Sequence, residues 1–139
     1  MPTARASVEL LAAPQDVWRF LAEPYHLADW WPNLVAVKPD RLGLAAGARW
    51  HVASRQATLL RRADHDDTLL VLAAEPYSHV SIEFVRSRLR AELTLTPSAP
   101  DRTRAELEVT GAFLISFSRS IAKSALTRLH NLVQTAATV

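Results

Sequence analysis

The stretch from Thr103 to Ala137, TRAELEVTGAFLISFSRSIAKSALTRLHNLVQTAA, decides the fold because its periodicity changes once, at Gly111. Before that glycine, Ala105, Leu107 and Val109 alternate with Arg104, Glu106 and Glu108. Period two marks a strand with one buried face. After it there is no Pro or Gly as far as Ala137. Leu114, Phe117, Ile121, Ala125, Leu129, Leu132 and Ala136 recur every three or four residues. That spacing predicts one helix over 112–137, about 25 residues and roughly 38 Å long, with an apolar stripe. Arg119, Lys123, Thr127, His130 and Gln134 lie off the stripe. A strand leading into a long amphipathic helix needs a sheet that covers the stripe.

The strands upstream supply that sheet. His79 to Arg86 and Leu89 to Thr96 read as a hairpin joined at Ser87-Arg88. A two-residue loop pairs Val80 with Leu95, Ile82 with Leu93 and Phe84 with Ala91, so the apolar residues of both strands share one face. Pro97 to Asp101 reads as the next turn, which sets Leu93 opposite Leu107 and Ala91 opposite Val109. One feature opposes the first hairpin: it sets Glu83 against Glu92, a like-charge pair. Thr68 to Ala74 is a continuous apolar run, read as a central strand that Glu75-Pro76 ends. Ala48 to Ala63 reads as one long strand with a bulge near Arg55-Gln56, and Asp64-His65-Asp66-Asp67 as a polar turn. Leu34 to Pro39 alternates weakly, and Gly43 and Gly47 bracket a turn.

At the start, Thr3 to Leu11 alternates and is a strand. Pro14 suits a first helical position and Asp16 the positive helix end, so Pro14 to Glu23 reads as a short helix. Pro24 stops it and begins a second, closed by Trp31-Pro32. The order is strand, two short helices, six strands, one long helix. This is an α+β domain: a curved, seven-stranded, mostly antiparallel sheet wrapped around the C-terminal helix.

Composition fits. The 139 residues suit a single domain over 1–139. Apolar residues make up 49% and charged residues 22%, which excludes a disordered tail or a charged coiled coil. There is no cysteine, hence no disulfide framework, thiolate metal site or thiol nucleophile. No run of 18 apolar residues and no secretory apolar segment occurs, so a soluble, cytoplasmic protein without a membrane span is expected. The net charge is +2, and 14 of the 16 basic residues are Arg. Acids interleave them: Glu92 after Arg88 and Arg90, Asp64, Asp66 and Asp67 after Arg61-Arg62. That mixing argues against nucleic acid as a partner.

The chain resembles the helix-grip fold of the START/Bet v 1-like (SRPBCC) superfamily, of polyketide cyclase/dehydrase and lipid transport type. The residues carrying the resemblance are Ala13-Pro14-Gln15-Asp16-Val17-Trp18 at the first helix, Trp30-Trp31-Pro32 at the end of the second, Gly47-Ala48-Arg49-Trp50, Glu75-Pro76 and the terminal helix. It covers nearly the whole chain. It implies an apolar cavity between sheet and last helix and a hydrophobic small-molecule partner; separately, no cofactor is expected. Such a superfold hosts unrelated activities, so the site must be argued from residues.

Candidate cavity residues are Trp30, Trp31, Trp50, Tyr77, Ile82, Phe84, Arg86, Phe117 and Ile121. The hairpin register sets Arg86 on the inner face, where a guanidinium must reach solvent, find a carboxylate or meet a ligand's acid or phenolate. Trp30 and Trp31 are neighbours on a short helix and point different ways, one to the core and one to the cavity mouth. Trp50 shares a face with Val52 as core or wall. Ser118 and Ser124 flank the stripe. Of the histidines, His26, His51, His65, His79 and His130, no pair has zinc-ligand spacing, and no metal is expected. No nucleophile elbow or phosphate loop occurs in a chain with three glycines. Three readings follow: binding of a hydrophobic, aromatic or polycyclic molecule; a polyketide aromatase/cyclase using Arg86, Tyr77 and Trp30 to orient and polarise; or an interaction module with a closed cavity. Oligomeric state is open, a homodimer included.

Overall fold

The computed structural model describes residues 3–58, 61–111 and 120–137, with side chains at 55–65 and 135–137 outside the description. The elements are β1 (Thr3–Leu10), α1 (Pro14–Leu21), a 3-10 turn (Pro24–His26), α2 (Leu27–Trp30), β2 (Leu34–Lys38), β3 (Arg49–Thr58), β4 (Arg61–Glu75), β5 (His79–Phe84), β6 (Leu89–Ala99), β7 (Arg102–Gly111) and α3 (Ile121–Ala137). The seven strands form one sheet in the order β1-β7-β6-β5-β4-β3-β2. Every neighbouring pair is antiparallel. This is the expected α+β helix-grip topology.

The inner face follows from strict alternation. On β7, Thr103, Ala105, Leu107 and Val109 are buried and the residues between them are not. Ala4 and Leu10 of β1 pair with Val109 and Thr103 and share that face. Helix α3 packs along β1 and β7 and touches α2. Its buried positions are Ala122, Ala125, Leu126, Leu129 and Val133, with Ile121 and Leu132 partly buried at the edge. The stripe therefore runs one residue round from the expected line and takes in Leu126 and Val133. The first part of the expected helix, with Leu114, Phe117 and Ser118, lies outside the described residues.

Three local expectations are corrected. The hairpin loop between β5 and β6 holds four residues, 85–88, so Val80 pairs with Leu93, Ile82 with Ala91 and Phe84 with Leu89. The slip is two residues, an even number, and so no side chain changes face. It also replaces Glu83 against Glu92 by Glu83 against Arg90, an opposite-charge pair. The reading of β6 against β7 stands, with Ala91 opposite Val109 and Leu93 opposite Leu107, but β6 runs on to Ala99. Second, Asp64 to Asp67 is strand, not turn. β3 and β4 pair without interruption from Arg49↔Leu70 to Thr58↔Arg61, so no bulge falls at Arg55-Gln56. Register breaks occur instead at Leu34/Ala36, Val71/Ala73 and Pro97/Ala99. Third, the second short helix divides into the 3-10 turn and α2.

Thr103 is fully buried, and its hydroxyl donates to the Ala12 carbonyl at 2.8 Å, tying β7 to the link between β1 and α1. Val has the same shape without the donor. Thr103→Val should lower the unfolding free energy by about 1–2 kcal/mol, because it orphans a buried carbonyl. Urea unfolding checks this as a lower midpoint at unchanged slope.

Candidate functional site

Two hollows lie end to end on the inner face. The first is apolar, about 30 Å³, and is walled by Leu27, Trp30, Leu44, Trp50, Ile82 and Ala91 among others. A single water needs roughly 10–15 Å³ on this measure, so the first hollow is nearly filled by its own side chains. The second is about 90 Å³ and lies among Trp31, Leu34, Val52, Phe84, Leu89 and Ile121. It thus sits between the sheet and α3. Its wall also carries polar groups, from Asn33, Ser54, Asp67 and Ser87.

The strand register shows why the hollows adjoin. Trp50 and Val52 are successive inward positions on β3, Ile82 and Phe84 on β5, and Ala91 and Leu89 on β6. In each pair the first residue lines the apolar hollow and the second lines the larger one. Opposite them stand two indoles. Trp30 lines the first hollow and Trp31 the second, and their rings meet edge-on at 5.8 Å. Both are buried, so neither forms an exposed mouth. Trp31 also lies against Phe84, at 5.2 Å between ring centres. Trp50 is buried too, and its Nε1–H donates to the Gly43 carbonyl at 3.0 Å. That bond satisfies the indole and pins the loop that brings Leu44 over the first hollow.

Asp67 is the charged group on the larger hollow, and it is 8% exposed. Its Oδ1 accepts from the Thr68 and Arg86 N–H groups, both at 2.7 Å. Its Oδ2 accepts from the Ser87 N–H at 3.0 Å and the Ser87 hydroxyl at 2.7 Å. Four donors offset the cost of burying the carboxylate. Asp67 thereby fixes the 85–88 turn, in which Arg88 takes a left-handed φ of 54°. Sequence reasoning missed this residue.

Of the expected cavity residues, Trp30, Trp50 and Ile82 line the first hollow, and Trp31, Phe84 and Ile121 the second. Phe117 lies outside the described residues. Arg86 and Tyr77 are not in either wall. Arg86 is an exposed turn residue, because strand β5 stops at Phe84, and its guanidinium donates to the Asp66 carbonyl at 3.4 Å. Tyr77 sits in the β4–β5 turn at a left-handed φ of 69° and is 50% exposed, its ring edge-on to Trp18. The side chains of Arg55 and Arg61 lie outside the description. His26 stacks on Phe20, and its Nδ1–H donates to the Phe20 carbonyl at 2.7 Å. Among the described residues no three His, Asp or Glu side chains are placed to hold a metal.

Over residues 1–136 the sequence matches the family described as polyketide cyclase / dehydrase and lipid transport. The chain belongs to this family, within the SRPBCC superfamily. The fold of the polyketide cyclase / dehydrase and lipid transport family recurs in solved structures. The XoxI protein of Bacillus cereus is 13% identical, with 99% of each chain covered and a TM-score of 0.72. The protein TTHA0849 of Thermus thermophilus is 15% identical, with 98% and 99% covered and a TM-score of 0.72. A protein of Chromobacterium violaceum is 18% identical, with 96% and 99% covered and a TM-score of 0.71. At these identities the likeness is one of fold. No curated protein sequence matches the chain significantly. Family membership suggests a hydrophobic ligand. No described helix is long and apolar enough to cross a membrane.

Proposed function

We propose that this protein binds a small hydrophobic molecule with one neutral polar end, in the hollow between Trp31, Phe84 and Ile121. The observation that carries this reading is the split lining of that hollow: indole, phenyl and aliphatic surface on most sides, with Ser87 and Asp67 at one margin. Apolar walls with a few placed polar groups are the usual form of a small-molecule site. The volume, about 90 Å³, is several-fold below the roughly 300–1,000 Å³ of drug-sized pockets. It suits one ring or a short chain; a polycyclic ligand would need side chains to move. The Asp67 carboxylate disfavours an anionic end, while Ser87 Oγ, which donates to Asp67, keeps lone pairs for a ligand hydroxyl.

The cyclase reading is weaker, because the residues expected to polarise a carbonyl, Arg86 and Tyr77, face solvent. The closed-module reading draws support from the nearly filled first hollow, and the same titration separates it from binding. By calorimetry, 1-octanol should bind one-to-one with a Kd of roughly 0.1–1 mM. Octanoate should bind about tenfold more weakly or worse, since its charge would be buried beside another. Ile121→Phe, which fills the hollow from its half-buried rim, should weaken octanol at least about tenfold. No heat with either probe would favour the closed module.

A further inference from the structure

We infer that the Trp30–Trp31 pair sets the length of ligand the interior accepts, by dividing one continuous groove into two. This rests on the binding reading above. The groove is continuous along the sheet, since Trp50–Val52, Ile82–Phe84 and Leu89–Ala91 each step from one hollow to the other within a strand. Across from that wall the division passes through the contact between the two indoles, one on each hollow. The sheet side of the division is low: Ala91 is the smallest side chain there, flanked by Leu89 and Leu93. So the barrier is supplied by the helix side. Trp30 and Trp31 pack edge-on there, their ring centres 5.8 Å apart. Beyond it the first hollow is wholly lined by apolar side chains and suits the end of a hydrocarbon tail.

The polar margin at Asp67 and Ser87 belongs to the larger hollow, so a bound amphiphile places its head there and its tail toward the indoles. The tail is stopped at Trp31. With Trp30 shortened, Trp31 has room to move and the tail passes into the first hollow. One inward step along a strand is about 6.8 Å, the span of roughly five methylenes.

The test is a series of linear 1-alkanols titrated into the full chain by calorimetry, for wild type, Trp30→Ala and Trp30→Leu. In the wild type, affinity should rise about fourfold per added methylene up to a cut-off length, then level or fall. In Trp30→Ala the rise should continue for about five further carbons, one strand step. Trp30→Leu, a milder truncation, gives the same readout if the alanine variant does not fold, and circular dichroism melting establishes which variants do. Adding Ala91→Leu to the folded variant refills the waist from the sheet side and should restore the short cut-off. The same cut-off in wild type and in a folded Trp30 variant overturns the inference and leaves the binding site standing. No alkanol binding to the wild type overturns the site itself, and the inference with it.

Discussion

Leu129→Ala should lower the unfolding free energy by about 2–5 kcal/mol, a large share of the roughly 5–15 kcal/mol a domain has. Leu129 is fully buried on α3, between Leu126 and Val133 on the stripe that meets β1 and β7. The substitution removes several methylenes and leaves a void that a close-packed interior collapses only partly. The melting temperature should fall by on the order of 10 °C. Arg128→Ala, one position round on the exposed face, is the control and should stay within about 0.5 kcal/mol of wild type. Equal effects from the two variants would contradict the placement of α3. Since Ile121 at the start of this helix walls the larger hollow, a loosened helix should also weaken octanol binding.

The second large effect is at Asp67. Asp67→Ala removes the acceptor for three backbone N–H groups and the Ser87 hydroxyl, and should cost about 2–4 kcal/mol. Asp67→Asn is the sharper variant. It keeps the shape, but its amide nitrogen turns a donor toward donors, because both carboxylate oxygens accept in the native site. Asn should therefore be nearly as damaging as Ala. Hydrogen exchange should speed up at the Arg86 and Ser87 amides in both variants, because the turn loses its anchor. An Asp67→Asn protein as stable as wild type would show that the charge and the second acceptor oxygen are dispensable.

These two residues also show what the sequence disclosed. The buried face of α3 was visible in outline, because Ala125 and Leu129 repeat at helical spacing on one stripe. Inner faces of β5, β6 and β7 were legible even where the pairing was not. A two-residue slip in the β5–β6 hairpin changes every partner and no face, so patterning alone does not reveal it. Charge did reveal it: Glu83 opposite Glu92 was the discordant pair, and the observed partner of Glu83 is Arg90. The misplacement of Arg86 followed from that slip, since extending β5 by two residues carried a turn residue onto the inner face.

Asp67 was hidden for a different reason. An aspartate-rich segment resembles a turn locally, and only a partner twenty residues away, the 85–88 turn, gives its burial a purpose. Its neighbour on β4 behaves differently: Asp66 is exposed and pairs with an exposed His51 at 3.5 Å. The tryptophans fall between these cases. Adjacency on a short helix suggested one indole in the core and one at a mouth; instead both are buried, meet edge-on and wall different hollows.

The most direct test of the site is a ¹H–¹⁵N correlation titration with 1-octanol. Binding in the larger hollow predicts shifts at the Trp31 indole N–H and at the amides of Asn33, Ser54, Ser87 and Leu89. The charged groove on the outer face, lined by Arg5, Glu92 and Arg104, should stay unmoved. Signals that stay fixed up to the solubility of the alcohol, or shifts confined to that outer groove, would contradict an interior ligand site.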